Sequence, residues 1–257
     1  MKKLLVAVLA TLSCCPLLFA NTITVSNNPN SPGQYKRLDS AILAASAGDI
    51  LLVSGSATDY ATAAGGTITI NKALTFYGHG YDPRNDQALA SSMSNVHITT
   101  AGSGTTISGF SIPGQLYEDA GTNDIVISRC SIGALWNHSC YCDGISGSNY
   151  VIRENIIGNI AIGPNIGGIM IRNNIITGSI GSQTTSVNIT IDNNYFTGSI
   201  GLTGVYAGIY NANVENNIFY YKSTSSSPSY ATATNCVFNN NITSVLILLK
   251  DIQLIRI

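Results

Sequence analysis

The chain has 257 residues, of which 12 are Lys or Arg and 13 are Asp or Glu, so its formal net charge is −1. Only 10% of the residues are charged, against roughly a quarter in most globular proteins, whereas the hydrophobic share of 45% is ordinary. This composition excludes bulk disorder. The lack of excess basic charge excludes nucleic acid as a partner and electrostatic attachment to a membrane. The length fits one or two domains.

Residues 1–20 have the layout of a secretory signal peptide. A short basic start precedes an apolar run, and Ala20 is a suitable small residue before a cleavage point. The run is short for a membrane span. We therefore expect a secreted or cell-surface protein that is cleaved near Ala20 and has no transmembrane span. An alternative is lipid attachment at Cys14 or Cys15, because the residues around them resemble a lipoprotein cleavage site.

A short motif recurs through the middle of the chain. Its clearest copies are Ile152-Arg-Glu-Asn-Ile-Ile157, Ile171-Arg-Asn-Asn-Ile-Ile176, Ile191-Asp-Asn-Asn-Tyr-Phe196 and Val214-Glu-Asn-Asn-Ile-Phe219, and further copies begin at Ile107, Ile127 and Ala233. Successive copies start 20, 25, 19, 20, 23 and 19 residues apart. Repeats of paired helices need more than about 30 residues, whereas alternating β-branched residues are typical of strands. The pattern therefore predicts a parallel β-helix with three short strands and three turns in each coil.

The asparagines of the motif gain a role in such a coil stack. Equivalent positions at the bend after the isoleucine strand are taken by Asn155, Asn174, Asn194 and Asn217. We expect left-handed backbone geometry at these asparagines, and a ladder of amide hydrogen bonds between successive coils. The same column would be filled at its ends by Phe110, Cys130 and Cys236.

Two segments near the start resemble the opening of right-handed parallel β-helix proteins of the pectin-lyase-like superfamily. The first, Gln34 to Val53, contains a short helix pattern and then a Gly-Asp pair before Ile50-Leu-Leu-Val53, which we expect to be a buried strand. The second is Thr67 to Gly78. The resemblance implies an all-β, right-handed parallel β-helix over residues 22 to about 243, with a short N-terminal capping helix. It implies no single activity, since the superfamily holds lyases, hydrolases, epimerases and adhesins.

These patterns divide the chain into four parts. We assign 1–20 to the signal peptide, 21–95 to the N-terminal cap and first coils, and 96–243 to the β-helix coils. The apolar tail 244–257 is either a cap over the open edge or the scar of a truncated longer protein. We favour truncation, because related exported proteins often continue into further coils.

One column of charged residues is a candidate binding face. Arg153, Arg172, Asp192 and Glu215 share an outward position on coils about 4.8 Å apart. This column could cradle an acidic sugar, and it resembles the sites of lyases that combine Ca²⁺-binding carboxylates with a basic residue. The alternative is a surface salt ladder worth under about 1 kcal/mol per pair.

The longest coil is a second candidate. It holds Trp136, His138 and Asp143, and insertions in solenoids often form loops on the binding face. Cys140 and Cys142 follow His138, but a Cys-x-Cys pair without a second pair is a weak zinc signal, and we expect no metal. Either cysteine could pair with Cys130. Cys236 could not, because it lies five coils, or about 24 Å, from Cys130.

We therefore expect an exported, monomeric β-helix protein that contacts a polysaccharide or cell-surface glycan without cleaving it and without a cofactor. One alternative is a polysaccharide lyase or glycoside hydrolase that acts on an acidic polysaccharide through the column from Arg153 to Glu215, with Ca²⁺ if it is a lyase. Another is a purely structural or adhesin fragment. The sequence identifies no catalytic residues.

Overall fold

The computed structural model describes residues 20–61, 66–80, 89–135, 147–163, 167–182, 186–197, 208–220 and 232–243. These residues form a parallel β-solenoid, in which the strands of one coil pair with those of the next. The prediction of an all-β parallel β-helix with one short helix near its start is confirmed. The predicted signal peptide up to residue 19 and the tail 244–257 lie outside the described residues.

Two long parallel sheets enclose the core. Sheet A consists of Thr22–Val25, Ile50–Val53, Thr75–Tyr77, Thr106–Ser108, Val126–Ser128, Ser148–Arg153, Gly167–Arg172, Val187–Asp192, Ala212–Glu215 and Val237–Asn239. The main path of sheet B consists of Thr67–Ile70, Asn95–Ile98, Phe110–Glu118, Ser131–Leu135, Ile156–Ile162, Ile175–Ile176, Tyr195–Phe196, Ile218–Phe219 and Ile242–Thr243. Two further strands, Ser91–Ser92 and Ile180–Ser182, pair with Phe110–Glu118 and Ile156–Ile162.

A third face is only partly formed in the described residues. Its clearest element is a separate two-stranded sheet of Gly208–Tyr210 and Thr232–Thr234. In the coil that contains Ile156–Ile162 the chain stays extended, and this one strand pairs with both Ile175–Ile176 and Ile180–Ser182. The expectation of three separate strands in every coil is therefore wrong, because no bend interrupts this segment.

Stacked aliphatic side chains fill the space between the sheets. On sheet A, Ile127, Ile152, Ile171, Ile191 and Val214 lie in register and are fully buried. On sheet B, the rings of Phe196 and Phe219 stack with centroids 4.7 Å apart. Residues alternate between core and outer surface, as the strand period of two requires.

The alternation also corrects one prediction. Ile50–Val53 is buried on one face only: Leu51 and Val53 point into the core, whereas Leu52 is 41% exposed. The outer face of sheet A is open to solvent at this strand, so a continuous apolar run does not indicate burial on both faces here.

The capping helix spans Leu38–Ala44 and buries Leu38, Ala41 and Ile42 against the first coil. Two polar side chains fix its C-terminal end. Lys72 Nζ donates to the carbonyl oxygen of Ala45 at 2.8 Å, and the Asp49 carboxylate accepts from the backbone N–H of Ser46 at 2.8 Å. A lysine at a helix C-terminus satisfies carbonyl groups that have no partner within the helix.

A ladder of buried asparagines runs along the bend from sheet A to sheet B. The members are Asn155, Asn174, Asn194, Asn217 and Asn241. From Asn174 onwards, the Oδ1 atom of each asparagine accepts two hydrogen bonds, from the backbone N–H and from the Nδ2 of the preceding member, at 2.8 to 3.1 Å. The Nδ2 groups also donate to carbonyl oxygens of the isoleucine column, for example from Asn174 to Ile152 at 2.9 Å. The predicted ladder is confirmed, with Asn241 as a further member.

The predicted backbone geometry of the ladder is wrong by one residue. The left-handed residues are those before the ladder asparagines, with φ between 50° and 60°: Arg129, Glu154, Asn173, Asn193, Asn216 and Asn240. We name these six residues the left-handed column. The chain must turn sharply there so that the next side chain points inwards, and Asn tolerates this conformation better than most residues.

The predicted position of Cys236 is also wrong. Val214 pairs with Phe238 rather than with Ala233, so Asn241 takes the ladder position and Cys236 lies one bend earlier, beyond Asn235. At the N-terminal end of the ladder, Cys130 occupies the predicted position in the column, since its backbone N–H donates to Asn155 Oδ1 at 2.9 Å. The Cys130 thiol lies 3.1 Å from the carbonyl oxygen of Ser128 and ends the ladder.

Replacing Asn174 with Leu tests the ladder. The change leaves the buried amide of Asn155 and its backbone N–H without their acceptor, at about 1 to 3 kcal/mol for each buried group. We expect Asn174→Leu to lower the free energy of unfolding by about 3 to 5 kcal/mol. Asn173→Gly is the matched control, because Asn173 is exposed and its φ of 55° suits glycine. Equal losses for the two variants in chemical denaturation would argue against the ladder.

Candidate functional site

The outer side of the asparagine bend carries a row of exposed amides. Asn173, Asn193 and Asn216 belong to the left-handed column, and their side chains point to solvent. Asn193 Nδ2 donates to Asp192 Oδ2 at 3.1 Å. Within the described residues the side chains of Asn173 and Asn216 make no hydrogen bond, so their donors and acceptors are open to a ligand.

A row of apolar side chains runs beside these amides on the outer face of sheet B. Ile175, Tyr195, Ile218 and Ile242 stand in register on successive coils, and they are 42%, 37%, 42% and 64% exposed. Two residues further along the chain, just after the ends of these short strands, lies a parallel row of Thr177, Thr197 and Tyr220, all exposed. The alternation of the strand directs both rows outwards.

Three members of the amide row and three of the apolar row line a shallow groove of about 460 Å³. Its walls are formed by Asn173, Asn174, Ile175, Asn193, Asn194, Tyr195, Asn216 and Ile218, and we name it the asparagine groove. The ladder fixes its floor, because the buried amides of Asn174 and Asn194 hold the backbone of adjacent coils together. The result is a rigid surface that repeats once per coil, about every 4.8 Å along the solenoid.

The predicted charged column borders the asparagine groove. Pairing of Arg153 with Arg172, of Arg172 with Asp192 and of Asp192 with Glu215 places the four residues in register. Arg172 contacts both carboxylate oxygens of Asp192, at 2.7 and 3.3 Å, and the Asp192 side chain is only 7% exposed. Asp192 is therefore engaged in an ion pair beneath Arg172 rather than facing solvent.

The two coils before that of Arg172 contain a second ion-paired cluster. Arg153 and Arg129 contact the two oxygens of Glu154 at 2.8 and 3.1 Å. The hydrogen bond from Arg129, together with the nearby charge of Arg153, lowers the pKa of Glu154 below its usual range. All the arginines along this bend in the described coils thus have a carboxylate partner, as expected of a surface salt ladder.

A second groove lies at the opposite end of the sheet A strands. It has a volume of about 500 Å³, and it includes Asn188, Asn211 and Asn235, whose φ values are 54°, 50° and 52°. Asn235 Nδ2 donates to Asn211 Oδ1 at 3.2 Å, so part of this column is bonded internally. Its described lining contains no aromatic ring, and on chemical grounds the asparagine groove is the better candidate for a ligand.

An exposed His–Asp pair lies on earlier coils of sheet B. His97 Nε2 is 2.8 Å from Asp119 Oδ1, and the imidazole stacks on the ring of Tyr117 with centroids 4.8 Å apart. Elsewhere, at Gly78-His79-Gly80, the His79 N–H donates to Ser91 Oγ at 2.8 Å. Across the described ranges, no three His, Cys, Asp or Glu side chains converge on a possible metal position.

Several predicted site residues belong to the longest coil. Trp136, His138 and Asp143 lie outside the described residues, together with Cys140 and Cys142. Within the part of the chain that the structure describes, Cys130 and Cys236 are free thiols, and burial raises the pKa of Cys130 to about 11. None of the helices in the described ranges is long and apolar enough to cross a membrane.

Sequence reasoning missed the apolar row of the asparagine groove. Its signal is the fifth position of the repeated motif, where Ile156, Ile175, Tyr195 and Ile218 follow the ladder asparagine. Two apolar residues in succession, at the fifth and sixth positions of the motif, do not show which one points inwards. The structure settles this, since Ile176, Phe196 and Phe219 fill the core instead.

No family model, curated protein or solved structure matches the chain. Its β-solenoid fold therefore rests on its own structure, and the superfamily resemblance stays a prediction.

Glu118 is a buried carboxyl without a partner. The residue is 1% exposed, and neither carboxyl oxygen has a hydrogen-bond partner in the described residues. Burial raises its pKa to about 8. Tyr150 lies nearby, and its hydroxyl donates to the carbonyl oxygen of Thr122 at 2.8 Å. Burial and the charge of Glu118 both raise the pKa of Tyr150. Glu118 thus stays protonated in the folded protein at neutral pH.

This burial predicts a pH dependence of stability. Below pH 4.5 the carboxyl is protonated in both the folded and the unfolded protein, and between pH 4.5 and about 8 only the unfolded protein ionises. The contribution of Glu118 to the free energy of unfolding is therefore fully present at low pH. It falls by up to about 5 kcal/mol as the pH rises through this interval. We expect Glu118→Gln to remove this part of the pH dependence of Tm. A difference between wild type and variant that stays constant from pH 4.5 to 8 would refute the assignment.

Proposed function

We propose that this protein is an exported β-solenoid that binds a polysaccharide or cell-surface glycan without cleaving it, and that the asparagine groove is the binding site. The observation that carries the proposal is the juxtaposition of unbonded exposed amides with the Tyr195 ring and its isoleucine neighbours. Sugars present hydroxyl groups at the ring edge and C–H groups on the ring faces. Amides beside an apolar platform match both features.

The two exposed tyrosines support an extended ligand. Tyr195 and Tyr220 lie on neighbouring coils and two strand positions apart, which places their Cα atoms about 8 Å from each other. A polymer that crosses the groove would meet both rings, and the repeat of amides along the coils would offer each successive sugar the same contacts. A small free ligand would use only part of this surface.

The signal peptide layout of residues 1–20 supports export, where such polymers are found. The resemblance of residues 34–53 and 67–78 to the pectin-lyase-like superfamily implies the fold but no single activity. We propose that the chain is a member of that superfamily and acts as a monomer.

A lyase that acts on acidic polysaccharide is the second candidate, and the register of Arg153, Arg172, Asp192 and Glu215 is the observation in its favour. The ion pairs weigh against it. A general base must be within reach of the proton that it removes, whereas Arg172 is bound to Asp192 and Arg153 to Glu154.

Replacing Tyr195 with Ala tests the proposed site. Stacking on an aromatic ring is a main source of affinity at such sites, so we expect Tyr195→Ala to weaken retardation of the mature protein in polysaccharide-containing gels by about tenfold, equivalent to about 1.4 kcal/mol. Tyr77→Ala is the matched control, because Tyr77 is 47% exposed on the opposite sheet and should leave binding unchanged. Equal effects of the two variants on polysaccharide binding would show that the binding site is not in the asparagine groove.

The lyase alternative is tested with the same protein. The mature chain is incubated with polygalacturonate or alginate and Ca²⁺, and the unsaturated product is followed by its ultraviolet absorbance. Product formation that Arg172→Ala abolishes would overturn the non-cleaving function. A chain that neither binds nor cleaves any glycan would be a structural protein.

A further inference from the structure

We infer that the asparagine groove selects an uncharged polysaccharide rather than an acidic one; this inference rests on the proposed function. All eight residues that line the groove are uncharged. An acidic sugar buried there would lose water around its carboxylate and gain no opposite charge, which is costly for an ion. The amides of Asn173 and Asn216 instead offer a neutral donor and acceptor pair, which suits hydroxyl groups.

The charged column beside the groove does not supply a free cation. The guanidinium of Arg172 is held by both oxygens of the buried Asp192, and the arginines of the two preceding coils share Glu154. To bind a uronate, Arg172 would have to leave a carboxylate that is 7% exposed, and that carboxylate would then lie buried without its cation. Exchange of the Asp192 carboxylate for the carboxylate of a uronate therefore brings no net gain in binding free energy.

The remaining border charge is repulsive to acidic polymers. Glu215 continues the column after Asp192, and no cation pairs with it in the described coils. It follows directly on the coil of Tyr195, so a chain laid along the groove would pass it. Over the coils of the groove, one Arg faces one Asp and one Glu, which gives a formal charge of −1. An anionic polymer would meet like charge there, whereas a neutral one would not.

The shape of the surface narrows the ligand further. The apolar row and the amide row run in parallel along the solenoid, with Thr177 and Thr197 on the far side of the apolar row. A pyranose with equatorial hydroxyls fits this order, because its C–H face can lie on Ile175 and Tyr195 while its hydroxyls reach amides on one side and threonines on the other. The structure thus favours a linear chain of such uncharged sugars.

Gel retardation of the mature protein distinguishes the ligand classes. The neutral probes are β-glucan, galactomannan and xyloglucan, and the acidic probes are polygalacturonate and alginate. We expect retardation by at least one neutral polymer, with less than a twofold change in affinity between roughly 20 and 500 mM NaCl, because contacts without net charge are not screened by salt. The acidic polymers should give at least tenfold weaker retardation.

A double variant separates the inference from the proposed function. Arg172→Gln combined with Asp192→Asn removes the ion pair without leaving a buried charge alone, and neutral binding should change less than twofold. Salt-sensitive binding of an acidic polymer that this variant abolishes would overturn the inference and leave glycan binding intact. Absence of binding to every probe, with a native unfolding profile, would overturn the proposed function and the inference with it.

Discussion

The buried asparagine ladder is the constraint on which the rest of this solenoid depends. An amide in the core must have its hydrogen bonds satisfied, and each ladder oxygen from Asn174 onwards accepts from the backbone N–H and the side-chain amide of the ladder asparagine in the coil before it. To direct that side chain inwards, the preceding residue must adopt a left-handed conformation, which favours asparagine again. The outer amides of Asn173 and Asn216 therefore follow from the inner ladder. The requirement that holds the coils together also builds the surface that we propose for ligand binding.

The low charge of the chain has the same origin. Core positions take isoleucine or valine, the two bend positions take asparagine, and the outward strand positions are the places where a charge fits. In the coils of the groove such charges are Arg172, Asp192 and Glu215, and the first two neutralise each other. A surface of this kind interacts with its surroundings through hydroxyl, amide and apolar contacts, with electrostatic steering reduced to a minimum.

Periodicity was a reliable guide where one residue type repeats in a fixed position. It identified the parallel fold, the capping helix at Leu38–Ala44 and four ladder asparagines. It failed at Cys236, because the spacing of 19 from the previous copy is close to the mean period, whereas the structure pairs Asn217 with Asn241 over 24 residues. It also could not find Tyr195 as a surface residue, since the choice between two adjacent apolar residues is made by the bend, which is a property of backbone torsions. The burial of Glu118 was missed for a similar reason: a single acid in a strand leaves no periodic trace.

Coil length varies along this chain while the bend does not. Consecutive ladder partners are separated by 19, 20, 23 and 24 residues, yet the backbone N–H to Oδ1 distances stay between 2.8 and 2.9 Å. The additional residues of the longer coils lie outside the ladder bend, so insertions leave the geometry of this bend unchanged. A loop in one coil can therefore be lengthened without altering the spacing of the exposed amides, so the geometry of this bend does not depend on the length of the coil.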